Sequence, residues 1–307
     1  MADWIHAVNQ AGSSPSMQRL RLRIELRKAR QAAGLTQREV AQRMEWSPSK
    51  LLRIEAGEVG VSVNDLRSLM QLYLIDDAST VESLLNFARG SRKMPFSEYR
   101  DIFGKWFLEF LSMESSASMM RSFQPWVIPG VLQTEAYAAG VIKSSSSDRF
   151  TEEQISRMIE ARMRRKGVLD NPQASFHFIL DESVIRRSVG GSAVMRSQLH
   201  HLADVAESLR HRVMVLPFSC GFDPAATTAF SLLEFANDMP PFLYFERTDG
   251  QASTSTNESE YVNYLEVFWS LESKSLKGAR LVNVLRLLAE QGGGNSLESL
   301  TSSMKNI

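Results

Sequence analysis

The 307-residue chain has a single cysteine, Cys220, so it can form no intrachain disulfide and no cysteine-built zinc cluster. No run of about 18 apolar residues occurs, which argues against a membrane-spanning helix. The first twenty residues carry Asp3 and no apolar core of signal-peptide length. The cytoplasm is therefore the expected compartment, with no membrane partner. Net charge is missing too: 35 Lys/Arg balance 35 Asp/Glu. Enzyme fingerprints are absent, with no GxSxG, GxGxxG, P-loop or HExxH. The five histidines are His6, His177, His200, His201 and His211; His201 and Asp204 share helical spacing but are too few to ligate a metal. The expectation is a protein that is not an enzyme and needs no cofactor or metal.

What the chain does contain is a stretch from Thr36 to Gly57 with the marks of two short helices joined by a tight turn. Thr36 followed by Glu39 makes a capping box. Val40, Ala41 and Met44 repeat at helical spacing. Glu45-Trp46-Ser47 reads as the turn, Ser47 as the cap of the second helix, and Pro48 as its first residue, where a missing N–H costs nothing. Leu51 and Ile54 face inward, Ser49, Leu52, Arg53 and Ala56 face outward, and Gly57 supplies a left-handed stop. Between Met17 and Gly60 ten Lys/Arg outnumber five Asp/Glu, which leaves the remainder of the chain mildly acidic. The plainer reading of the basic first helix (Arg19, Arg21, Arg23, Arg27, Lys28, Arg30) is a solvated face.

Residues 17–75 resemble the XRE (Cro/cI-type) helix-turn-helix domain through Thr36-Gln37, Ala41, Ser47, Arg53-Ile54-Glu55 and Gly57. Glu45 departs from the glycine usual in that turn, and a left-handed backbone there would cost on the order of 1 kcal/mol. The resemblance implies a recognition helix in the major groove of double-stranded DNA. Its expected contacts are Arg53 to a guanine edge, Ser47 and Ser49 to base or phosphate, and Gln37 and Lys50 to phosphates. It also implies a structural ion pair between Arg30 and Glu55; since one such domain reads few base pairs, a homodimer on two half-sites about 34 Å apart, or a multiple of that, is the economical arrangement.

The pattern yields a mainly α protein with a smaller α+β part. Residues 1–16 read as a flexible tail with an apolar scatter (Trp4, Ile5, Val8) and a Gly12–Ser16 joint, 17–89 as a five-helix DNA-binding domain, and 90–99 as a linker. Helix 1 should pack through Leu20, Ile24 and Leu26, and helix 4, capped by Ser62, through Val63, Leu66, Leu69, Met70, Tyr73 and Leu74. Residues 100–290 read as a regulatory domain with a small, mostly antiparallel sheet, followed by a polar tail, 291–307. Its expected elements are helices over 99–120, 151–169, 192–210, 258–272 and 275–290, and strands at 176–180, 213–216, 230–235 and 242–245, with a turn at 237–241.

The segment Arg121–Tyr137, RSFQPWVIPGVLQTEAY, is similar to a signature of actinobacterial regulators that join an XRE-type domain to a large C-terminal domain of unknown function. That resemblance implies a transcriptional regulator of a streptomycete-like bacterium, often beside a small partner protein in a toxin–antitoxin-like or developmental pair. A rival reading is a one-component regulator whose C-terminal domain senses a small molecule. Pro129-Gly130 fits a turn or a groove lining, the turn being simpler. Asp181-Glu182 fits an acidic first turn better than a paired acid site, Arg162–Lys166 a solvated helix end, and Cys220 a small apolar filler.

Overall fold

Pro15, without an N–H, opens the first helix of the computed structural model at no cost in hydrogen bonds. The structure describes residues 15–56, 59–91, 95–146, 149–208, 210–236, 239–246 and 252–291. Expectations placed on residues 1–14, Gly57, 92–94, Asn237-Asp238 and 292–307 lie outside them. The chain divides into two compact units, one reaching Ser97 and including 111–116, the other formed by 98–110 and by residues from 117 onward. No helix among the described residues is long and apolar enough to cross a membrane.

In the first unit, α1 (Pro15–Ala32), α2 (Gln37–Arg43), α3 (Pro48–Glu55), α4 (Val63–Leu72) and α5 (Ala78–Gly90) enclose one core. Leu22, Leu26, Val40, Leu51, Ile54, Leu66, Leu69, Met70, Tyr73 and Leu84 fill it. Three differences from the sequence expectation appear. Pro15 and Ser16 belong to α1, not to a flexible joint. Leu22 joins the core where Ile24 was expected, and Ile24 is only partly buried. Leu74 is 84% exposed, because α4 has already ended and Leu74 turns the chain at φ 58°. The Ile75 N–H reaches back to Met70 O at 2.9 Å and that of Leu74 to Gln71 O at 3.2 Å. This is a Schellman closure with leucine in the position that favours glycine.

The second unit is where the expected architecture needs correcting. Its sheet has six strands in the order β3-β2-β1-β4-β5-β6 and is mixed, not small and mostly antiparallel. The strands are β1 (Met119–Gln124), β2 (Ser175–Asp181), β3 (Arg212–Leu216), β4 (Ala229–Glu234), β5 (Phe242–Glu246) and β6 (Ala252–Ser255). β1, β2 and β3 are parallel, while β4, β5 and β6 extend the sheet antiparallel from β1. Parallel neighbours need crossover helices. α7 (Glu135–Ser146) and α8 (Glu152–Arg165) carry the chain from β1 to β2, and α9 (Glu182–Arg186) and α10 (Ser192–Glu207) from β2 to β3. The helix expected over 99–120 is in fact α6 (Lys105–Glu114), interrupted at Gly104 and followed by β1. α8 stops at Arg165 and α10 at Glu207, each short of its expected end. α11 (Glu258–Lys274) and α12 (Ala279–Gln291) follow the sheet.

Both faces of the sheet are covered. On one, Phe123, Ile179, Met214, Phe230, Leu232 and Leu243 pack on Tyr261, Phe268 and Leu271 of α11, with Cys220 at the margin. The other face carries a cross-strand row, Phe178–Ser122–Ser231–Tyr244, set by strand register. α10 packs along α12. Asp181 caps α9 by accepting the Ser183 N–H at 2.9 Å. Glu182 is buried, accepting from Arg186 Nε at 2.8 Å and from the Phe218 N–H at 2.7 Å. Each of these two carboxylates thus has a structural task.

Candidate functional site

α2 begins as its sequence dictates. Thr36 Oγ1 accepts the Glu39 N–H at 3.2 Å and Glu39 Oε2 accepts the Thr36 N–H at 2.8 Å. The Thr36 backbone and hydroxyl hold the Glu39 carboxyl below its ordinary value. The helix closes through Trp46 N–H to Ala41 O at 2.8 Å and Glu45 N–H to Gln42 O at 3.2 Å, with Glu45 at φ 55°. The turn therefore keeps the left-handed geometry that glycine would take without strain. α3 starts at Pro48 with Leu51 and Ile54 buried. Ser47 holds the N-cap position but makes no side-chain cap bond, a correction to its expected role; its hydroxyl lies 3.3 Å from that of Ser49 instead.

The outer face of α3 and its turn exposes Ser47, Pro48, Ser49, Leu52, Arg53 and Ala56. Lys50 is only half open: its Nζ is 3.1 Å from Asp65 Oδ2 and 3.9 Å from the Trp46 ring centroid. Gln37 gives one of its amide hydrogens to Glu55 Oε2 at 2.8 Å, which leaves the second for another acceptor. Arg38 and Arg43 of α2 are exposed and make no hydrogen bond or ion pair among the described residues. Neither is among the expected contacts, although their charge on a short helix beside the turn is a signal.

Behind this face, Arg30 Nε lies 2.6 Å from Glu55 Oε1 and Nη2 lies 3.1 Å from Oε2. Arg30 Nη1 also donates to Leu35 O at 2.8 Å. The two side chains are 10% and 4% exposed, which makes the pair an interior strut. Glu55's hydrogen bonds push the Arg30 guanidinium further above its ordinary value, against burial, which lowers it. The rest of basic α1 is also partly engaged inside the unit. Arg19 donates to Ser91 O at 3.2 Å, Arg23 to Ala56 O at 3.2 Å at the end of α3, and Arg21 lies over the Phe87 ring. Arg27 and Lys28 are exposed, so the solvated-face reading describes only part of the helix.

In the second unit, the Arg121–Tyr137 stretch is strand β1, a loop, and a 3-10 turn at Gly130–Leu132 leading to α7. Gln198, fully buried, fastens the turn by donating to Leu132 O at 2.8 Å and accepting the Thr134 N–H at 2.7 Å. Gln133 donates to Ile128 O at 2.7 Å and accepts from Arg162 Nη1 at 3.0 Å. The cluster 162–166 is not a solvated helix end. Arg165 is 8% exposed, Arg162 and Lys166 are half-buried, and Arg164 pairs with Glu98. Among the described residues no group of three His, Cys, Asp or Glu side chains could hold a metal.

A family model described as a helix-turn-helix domain matches residues 21–83. A second, described as a domain of unknown function (DUF5753), matches residues 107–286, more than half of the chain. No curated protein and no solved structure matches.

Proposed function

Because the chain belongs to the DUF5753 family and carries a helix-turn-helix domain ahead of that region, we propose that it is a sequence-specific DNA-binding transcription regulator. The observation that carries this reading is the outer face of α3, which presents Ser47, Ser49 and Arg53 beside an exposed, basic α2. Arg53 is the base reader, its planar guanidinium suited to guanine O6 and N7. Ser47 and Ser49 donate to a base edge or phosphate. Gln37, with one amide hydrogen left over, Lys50, and the exposed Arg38 and Arg43 hold phosphates and set register. Lys50 must exchange Asp65 for a phosphate to do so, which makes its contribution smaller than that of an unengaged lysine. Glu55 contributes no contact to DNA; it holds Arg30 and orients Gln37.

One such domain reads few base pairs, so the protein acts as a homodimer on two half-sites about 34 Å apart or a multiple of that. The C-terminal domain regulates occupancy, by engaging a small partner protein in an antitoxin-like pair or by sensing a small molecule. The second of these has a structural observation in its favour, a cleft in the second unit lined by Arg162 and Arg165.

Selection of bound duplexes from a random-sequence library, with wild type and Arg53→Ala, tests the DNA reading. The wild type should enrich a two-fold symmetric motif. Arg53→Ala should lose about 1–3 kcal/mol at that motif and relax preference at one base position. Lys50→Ala should weaken all sequences alike. No enrichment, or enrichment indifferent to Arg53, would discard the reading.

A further inference from the structure

The second unit contains a small cleft, partly open to solvent. Its floor is the sheet face bearing Ser122 and Ser231, whose hydroxyls lie 2.9 Å apart in the middle of the cross-strand row. On the opposite sheet face their chain neighbours are Phe123 and Phe230, two large side chains in a dry core. Two serines in place of bulk leave room above the sheet. Phe107, Phe110, Val127, Ile128 and Tyr244 supply apolar walls, and Phe110 stacks on Tyr244 with ring centroids 4.2 Å apart.

Two guanidiniums enter this lining. Arg165 lies over the Phe110 and Phe107 rings, at 5.2 and 5.7 Å. Arg162 is held by the neutral carbonyl of Gln133, with no carboxylate in ion-pair reach among the described residues. Burial, then the neighbouring charge of Arg165, pulls the Arg162 guanidinium down to about 10. Gly130 leaves room for the Arg165 guanidinium. A Cβ there would lie 2.9 Å from Arg165 Nη1, so the guanidinium end of Arg165 would have to shift, while the 3.7 Å to Arg162 Nε is ordinary contact. Glu246 also lines the cleft and would repel a second negative charge.

We propose that this cleft binds a small monocarboxylate with an apolar or aromatic body, its carboxylate on Arg162 and its body against the Phe110–Tyr244 wall. A planar guanidinium matches a carboxylate in two-point hydrogen bonding. A phosphate dianion fits less well, because its extra charge faces Glu246. This site goes beyond the DNA-binding reading and does not require it.

The test uses the full-length chain and a panel of benzoate, phenylacetate, 3-phenylpropionate and octanoate, with phenylacetamide and phenyl phosphate as matched non-carboxylates. Thermal shift and titration calorimetry should show at least one acid raising the melting temperature. The matched amide should bind at least about tenfold more weakly. Arg162→Gln should weaken the bound acid about tenfold to a hundredfold. Gly130→Ala, which displaces only the far end of Arg165, should weaken it by a smaller factor and keeps the test decisive should the Arg162 variant fail to fold. Arg53→Ala should bind the acid as wild type does, which separates this site from the DNA surface. The proposal is overturned by a panel in which no acid binds, or by an amide or phosphate that binds as well as the acid. It is equally overturned by Arg162→Gln and Gly130→Ala variants of undiminished affinity. An N-acetylated hexapeptide with a free C-terminal carboxylate that binds where the small acids do not would assign the cleft to a protein partner instead.

Discussion

Each unit of this protein draws an arginine out of water, and the two arginines are treated differently. In the helix-turn-helix unit, Arg30 meets a carboxylate at two points, and the same carboxylate takes a third hydrogen bond from Gln37. In the sheet unit, Arg162 is given a neutral amide and the walls of an open cleft. A buried charge must be matched or it costs several kcal/mol. Arg30 is matched by the fold, so it works as a strut between α1 and α3. Arg162 has the Gln133 carbonyl and the more distant Glu246 carboxylate, and no two-point carboxylate partner among the described residues. The partner, and not the charge, separates the two guanidiniums here.

The largest effect expected from this contrast is on stability. Arg30→Ala strands the Glu55 carboxylate and should cost about 3 kcal/mol, read as faster hydrogen exchange of the buried α2 and α3 amides. Arg162→Gln removes a half-buried charge that has no carboxylate within ion-pair distance among the described residues. It should leave exchange at β1 and α8 unchanged or slow it. If Arg162→Gln loosens the sheet unit as much as Arg30→Ala loosens the helical one, Arg162 is a strut as well and the contrast collapses.

A smaller effect sharpens the comparison within the first unit. α1, α2 and α4 all close with a left-handed residue, respectively Gly34 at φ 69°, Glu45 at φ 55° and Leu74 at φ 58°. Only the first is glycine. Glu45→Gly should stabilise the unit by about 1 kcal/mol, and Leu74→Gly by a similar amount. Both are measured as a rise in the midpoint of thermal unfolding. A fall at position 45 would mean that the glutamate side chain makes a compensating contact in the folded state.

The helix-turn-helix unit was legible in the sequence because its determinants are local. Thr36 and Glu39 sit three residues apart, Pro48 marks a first turn, and the Ser62 hydroxyl accepts the Asp65 N–H as the spacing requires. The sheet unit was less legible, and the reason lies in particular residues. β1, MMRSFQ, is a central strand that carries Arg121, Ser122 and Gln124. No apolar run announces it, since Arg121 pairs with Glu234 and the serine and glutamine line the cleft. Missing β1 hid the parallel half of the sheet, because without it only one β–α–β unit remained to be seen. Arg162 and Arg165 misled for a related reason: a basic helix end ordinarily faces water, and here it faces a cavity. Local rules fail most where side chains serve a site instead of a core.

The smallest effect concerns acid, and the two units should respond in different pH windows. In the sheet unit, burial first, then the charges of Arg212 and Arg121, holds His177 down to about 4 from an ordinary 6.5. Burial lowers His201 and His211 as well. Between those values the unfolded chain binds protons that the folded unit refuses, so stability must fall as pH drops from about 6.5 toward 4. The helix-turn-helix unit has no histidine among its described residues. Its acid-sensitive groups are the caps: Ser79 and Thr80 hold the Asp77 carboxyl down to about 2 from an ordinary 3.8. A depressed carboxylate adds stability above its unfolded value and loses it only as pH falls through the folded one, so this unit should hold until pH drops below about 4. Hydrogen exchange corrected for intrinsic rates, taken at pH 7, 6 and 5, should show β2 amides loosening while α4 and α5 amides do not. His177→Gln should flatten part of that slope. Equal loosening of both units across this range would show that the three histidines do not set the acid response.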